Sequence, residues 1–324
     1  MNRLRAYREI EGLNQEQLGE LLDLSPQMVS AIEGGRRTFS GDLSPLGYAD
    51  TRLALPDMSE PLHRQRASTK IAAQKRAHEL LRLAGEVFAE LRDRTEHAPT
   101  LALEPLSPPD SMDDLDDLAV ELRYMLLLEA EGPIRNLTAA VERAGVCLIP
   151  IVGVGGVDGL SSWVGDVPVI GLSPSVSGDR FRFTLGHELA HLLLHRRPGP
   201  ATESEANRFS SSVLFPRAEF DQQMPERPQL RDFIALKSSW GIAVAALVYR
   251  AHELDYIDDS RYRALQIQMS KWRKTEPAYF APMYGELMNR LVTANGGIAT
   301  VARELGVNRK HLQELCNWSP LRVA

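Results

Sequence analysis

Phe181-Arg182-Phe183-Thr184-Leu185-Gly186-His187-Glu188-Leu189-Ala190-His191-Leu192-Leu193-Leu194-His195 is the most informative stretch of the chain. Its apolar residues predict a buried helix over 181–196. Two histidines and a glutamate inside such a helix are costly unless they have a job. The histidines stand four residues apart, which on an α-helix means about 400° of rotation and about 6 Å of rise. Both imidazoles therefore leave one face and can grip a single zinc ion. Glu188 lies about 100° from His187, where it can take a proton from a water held by the metal. Zinc lowers the pKa of such a water to about 7, which supplies hydroxide at neutral pH.

A catalytic zinc usually needs a third protein ligand. Downstream, Glu203-Ser204-Glu205-Ala206-Asn207-Arg208-Phe209 enters a second apolar helix that Pro216 stops after Leu214. Glu203 is the favoured ligand, with Asn207 on the same helical face to orient a zinc histidine. Glu205 is the rival ligand, or else a solvated carboxylate in the first turn. His195 follows His191 by four residues, but near the helix C-terminus it reads as a cap. Arg182 reads as a salt-bridge partner.

Upstream, 136–144 reads as a helix. The segments 146–152, 160–164 and 167–172 read as strands, with Gly165-Asp166 as a hairpin turn. Prolines 99, 105, 108 and 109 mark a linker at 97–110. Ser111, Asp113 and Asp114 open a helix that runs to Glu129, its acidic first turn matching the helix dipole. A basic helical pattern covers 63–94.

At the N-terminus, Asn14 caps a helix through Leu22, and Asp23-Leu24 turns the chain. Ser25-Pro26 then starts a second helix that ends at Gly34-Gly35. Two short helices around such a turn form the DNA-binding helix-turn-helix shape. Gly19 allows close approach, and Asp23 tolerates a left-handed backbone. Closing helices are hard to find in 38–62, so this module is either truncated or borrows packing from the helix at 63–94. A second pattern of this kind, 297–312, has Gly306 at the turn and Asn308 as cap. It reads first as a packing hairpin and second as another DNA-binding module.

The chain has 324 residues, a formal net charge of −6, 44% hydrophobic residues and two cysteines, Cys147 and Cys316. That charge argues against coating nucleic acid through bulk charge, but leaves room for one locally basic module. Few cysteines, no apolar leader behind Met1-Asn2-Arg3 and no long apolar run point to a cytoplasmic protein with no membrane partner.

Two resemblances follow. The pattern Leu4-Arg5, Arg8, Leu13, Gln15, Leu18, Leu22, Ser25, Val29-Ser30, Ile32-Glu33, Gly35-Arg36-Arg37 is similar to Xre-type repressors. It implies Gln15 and Arg36 at the DNA backbone and Gln27, Met28 and Ser30 at the major groove, where glutamine can pair with adenine, with Arg37 also among the DNA-binding residues. The segments Asp158-Gly159-Leu160-Ser161, Pro168–Leu172, Arg182–His195, Glu203–Phe209 and Val213-Leu214-Phe215-Pro216 resemble the ImmA/IrrE metallopeptidases, over about 110–277. This second likeness implies a zincin-like fold with a small sheet, a Zn2+ cofactor, and cleavage of a protein substrate such as a transcriptional repressor. His187, His191 and Glu203 would be the ligands and Glu188 the base. The fold class expected is α+β, mostly α. Its divisions are 1–62 helix-turn-helix, 63–109 helix and linker, 110–277 metallopeptidase and 278–324 helical. A homodimer is expected from the Xre likeness. The alternative function is a non-enzymatic repressor or antitoxin with a structural or metal-sensing zinc site.

Overall fold

The structure, a computed structural model, describes residues 3–48, 58–59, 71–96, 98–99, 103–152, 154, 156–197, 199–272 and 276–319. Residues 63–70 of the expected basic helix lie outside them. The fold is α+β and mostly α: fifteen α-helices and one three-stranded sheet among the described residues. No single helix among those residues is long and apolar enough to cross a membrane. The chain divides into two compact units that cut across its linear order. One joins residues 1–100, 145–173 and 285–324, and the other joins 101–144 with 174–284.

The first unit begins with α1 (Arg3–Glu11), α2 (Gln15–Leu22), α3 (Pro26–Glu33) and α4 (Ile71–Arg94). Asn14 caps α2 in a reciprocal capping box with Gln17, and Ser25 caps α3. Between them Asp23 adopts φ 55°, ψ 46°, the left-handed turn expected of it. Arg8 donates to both carboxylate oxygens of Glu33 (2.6 and 3.0 Å), and Gln15 Nε2 donates to one of them (2.9 Å), tying the first three helices together.

The strands come from the other half of the chain: β1 (Cys147–Pro150), β2 (Gly159–Val164) and β3 (Val167–Leu172). Their order is β1-β3-β2, with β1 parallel and β2 antiparallel to β3. Gly165, at φ 60°, makes the hairpin turn. Ser59 engages the outer edge of β2, its N–H donating to the Trp163 carbonyl (2.9 Å). Every residue of α4 from Leu80 to Phe88 is buried. That burial makes α4 the spine of this unit.

The unit closes with the last three helices, α13 (Leu287–Ala294), α14 (Gly297–Leu305) and α15 (Arg309–Cys316). One apolar cluster runs through Ile10, Val29, Leu83, Val301 and Leu312, so the helix-turn-helix takes its closing layer from α4 and from the far end of the chain. His311 is fully buried, its ring nitrogens 2.8 Å from Tyr48 Oη and 2.7 Å from Glu11 Oε1. Lys310 also pairs with Glu11 (2.7 Å). One face of 297–312 is thus used in packing, while Arg309 and Lys310 stay exposed.

The second unit contains α5 (Asp114–Met125), α6 (Leu137–Arg143), α7 (Gly178–Leu194), α8 (Thr202–Leu214), α9 (Arg217–Gln223), α10 (Leu230–Trp240), α11 (Val244–Glu253) and α12 (Asp259–Met269). Helix α5 ends earlier than its pattern suggested, because Leu127 turns left-handed at φ 55°. Its acidic first turn does more than oppose a dipole. Asp116 accepts from Arg208 (2.6 and 3.2 Å) and from Ser212, which fastens α5 to the back of α8. Arg123, buried on α5, donates to the carbonyls of Val213 (2.9 Å) and Glu129 (2.7 Å). Loss of one member of a buried ion pair costs about 3–5 kcal/mol, so α8 is held firmly from behind while its other face meets α7.

Candidate metal centre

Helix α7 is buried almost all round: His187, Glu188 and His191 are 3%, 1% and 1% exposed. Its first turn is held by an ion pair between Asp179 and buried Lys237 (2.7 Å). Helix α8 comes close where α7 has no side chain: a Cβ on Gly186 would lie 2.5 Å from Ser210 Oγ and 3.3 Å from Ser210 Cα. Ser210 Oγ donates to the Phe183 carbonyl (2.7 Å), fixing the register of the two helices.

That register brings the candidate ligands together. The Nε2 atoms of His187 and His191 are 3.0 Å apart. Glu203, in the first turn of α8, stands 3.6 Å from the first and 3.5 Å from the second. One donor atom from each residue fits within 4.8 Å of the others. Tetrahedral zinc with bonds of about 2.0–2.2 Å spaces its ligand atoms about 3.3–3.6 Å apart. The two-nitrogen, one-oxygen donor set fits such an ion, with both carboxylate distances in that range and the two nitrogens, at 3.0 Å, slightly closer. The Glu203 side chain is 46% exposed, so the cluster opens to solvent on that side.

The surroundings assign different tasks to the neighbouring residues. Asn207 Oδ1 lies 3.1 Å from His187 Nδ1, one turn beyond Glu203 on α8. Glu205 does not join the cluster; its Oε2 lies 3.0 Å from His195 Nε2. His195 does end α7, but its ring turns back on the site, with Nδ1 3.0 Å from His191 Nδ1. Burial, and after it the neighbouring His191, hold the His195 imidazole below the ordinary histidine range, against the pull of Glu205. Sequence reasoning missed this contact, although the repeat of four from His187 to His191 to His195 was its signal. Arg182 also departs from expectation. It donates to the Ile134 carbonyl (2.7 Å) and lies over the Phe280 ring (5.2 Å), with no carboxylate partner among the described residues. Burial pushes its pKa down to about 10.

At the other candidate site, Gln27 is exposed at the start of α3, and Met28 and Ser30 are half-buried. Arg36 and Arg37 are exposed just beyond it, Arg37 reaching the Met28 sulfur (3.8 Å). Gln15 is partly occupied by Glu33.

Two known families match regions of the chain. Residues 142–252 match the IrrE N-terminal-like domain, a peptidase family. Residues 4–43 match the helix-turn-helix family. No curated protein matches the chain. The chain is thus a fusion of an Xre-like helix-turn-helix domain with an IrrE N-terminal-like domain of metallopeptidase-like fold.

Proposed function

We propose that the chain is a cytoplasmic, dimeric transcriptional regulator with zinc-dependent endopeptidase activity, cleaving a protein such as a repressor. The observation that carries this reading is the convergence of His187, His191 and Glu203 on one point, with Glu188 buried beside His187. A metal site that only held the fold would not need that fourth residue.

Zinc held by these three residues supplies Lewis-acid chemistry, polarising the scissile carbonyl and making water a better nucleophile at neutral pH. Glu188 takes the proton of the attacking water and returns it to the leaving amine. Asn207 accepts the Nδ1 proton of His187, which leaves Nε2 free to ligate. The exposed side of Glu203 leaves room for an extended peptide. In the helix-turn-helix domain, Gln27, Met28 and Ser30 read base edges, while Gln15, Arg36 and Arg37 hold phosphates.

The test is cleavage of co-expressed neighbouring regulators by the full-length chain, wild type beside Glu188→Gln. Removing a general base typically costs about 10²–10⁴-fold in rate, so only wild type should cut on the same timescale. Equal cutting by both proteins would contradict the role of Glu188. Zinc binding with no cutting by wild type would favour the non-enzymatic repressor or antitoxin.

A further inference from the structure

We propose that His195 and Glu205 are positioning residues for the metal centre, forming a hydrogen-bonded relay from His191 through His195 to Glu205. This rests on the reading of His187, His191 and Glu203 as zinc ligands.

Proton counting fixes the direction of the relay. A neutral imidazole has one N–H and one lone pair. A ligating Nε2 uses its lone pair on the metal, so His191 must carry its proton on Nδ1. That N–H faces His195 Nδ1 at 3.0 Å, which must therefore be the acceptor. His195 then has its proton on Nε2, 3.0 Å from Glu205 Oε2, which accepts it. With the proton on Nδ1 of His195, two N–H groups would oppose each other and a lone pair would face a carboxylate. An imidazolium at His195 would keep the first of those clashes. One arrangement alone satisfies both contacts.

The two histidine ligands are therefore supported in different ways. His187 leans on the neutral amide of Asn207, and His191 on a carboxylate one imidazole away. Burial strengthens the second connection: the His195 side chain is 5% exposed and that of Glu205 is 24% exposed. The backbone makes it possible. His195 leaves the helix at φ −112°, ψ 113°, and Glu205 sits two residues beyond Glu203 on α8. The relay thus orients the His191 ring and raises its basicity as a ligand.

Tautomers can be read directly by nitrogen-15 NMR of histidine-labelled, zinc-loaded full-length protein. The relay requires His191 as the Nδ1–H form and His195 as the Nε2–H form. An Nδ1–H or doubly protonated His195 would overturn it, and this readout needs no variant to fold. Zinc affinity, measured by competition with a chromophoric chelator, gives the second test. Losing a group that supports a metal ligand costs about 10–100-fold in affinity, the loss expected for His195→Phe and for Glu205→Leu. Glu205→Gln keeps an acceptor oxygen and should recover most of that loss. Because Glu205 acts through His195, the double variant should bind no more weakly than His195→Phe alone. Multiplying losses, or wild-type affinity in both single variants, would overturn the relay and leave the zinc reading intact. A wild-type protein that takes up no zinc would overturn both.

Discussion

Helices α2–α3 and α14–α15 share one local plan and use it in opposite ways. Each pair turns through a left-handed residue, Asp23 in one and Gly306 in the other, whose N–H bonds back four residues, to Gly19 and to Ala302. Each second helix is capped, by Ser25 or Asn308, and buries matching positions, Val29 and Ile32 against Leu312 and Leu315. Counting from the caps, Gln27 corresponds to Lys310 and Met28 to His311. In α3 these positions face outward or half-outward, whereas in α15 His311 is sealed between Tyr48 and Glu11, and Lys310 stays exposed with its ammonium paired to Glu11. Local sequence makes the hairpin, but packing decides whether it has a free face to offer DNA.

Matched substitutions can break this comparison. The largest stability effect expected is His311→Ala, which strips packing and leaves the buried Tyr48 hydroxyl without its partner while Glu11 keeps Lys310, at a cost of about 2–4 kcal/mol. Met28→Ala should cost under about 1 kcal/mol. Urea unfolding midpoints read both, and equal losses would mean the two helices are packed alike. On DNA selected from a random pool, the order should reverse. Gln27→Ala should weaken binding by about 1–3 kcal/mol with no change in unfolding midpoint, while Lys310→Ala should leave DNA affinity unchanged.

The turns offer a finer test. Gly306 stands at φ 65°, so Gly306→Ala should cost about 1–2 kcal/mol. Asp23→Gly relieves a strained turn but frees the unfolded chain, so its net effect should stay below about 1 kcal/mol. At Gly19 the α2 turn is tighter than its counterpart at Ala302, since an added Cβ would lie 2.3 Å from the Leu24 carbonyl oxygen.

The smallest effect expected is a pH dependence. Burial holds His311 below its ordinary value of 6.5, against the raising influence of Glu11. In acid the unfolded chain then binds a proton that the folded chain resists. The stabilising contribution is full above pH 6.5 and is lost as pH falls through the folded value. Between pH 7.5 and pH 5, the melting temperature of wild type should drop further than that of His311→Gln; parallel curves would contradict this account.

Much of this was legible in the sequence wherever local chemistry decides. Caps at Asn14, Ser25 and Asn308 fixed helix starts, Gly165-Asp166 fixed a hairpin, and the run Val167–Leu172 was read to the residue. The spacing of His187 and His191 put both imidazoles together, as observed. What escaped depends on distant contacts. Asn207 one turn later favours Glu203 over Glu205 locally, but the contact of Glu205 with His195 comes only from the position of α8 against α7. Asp116 carries no local sign of its role, which comes from Arg208, far along the chain. The grouping of 145–173 with both chain ends is likewise non-local.

The central claim is that α7 and α8 hold a catalytic zinc. Its most direct test is the zinc-to-protein ratio of the purified full-length chain, for wild type, Glu188→Gln and His191→Ala. The account predicts one zinc per chain in wild type and in Glu188→Gln, and almost none in His191→Ala. A wild-type protein without zinc, or a ratio untouched by His191→Ala, would contradict it.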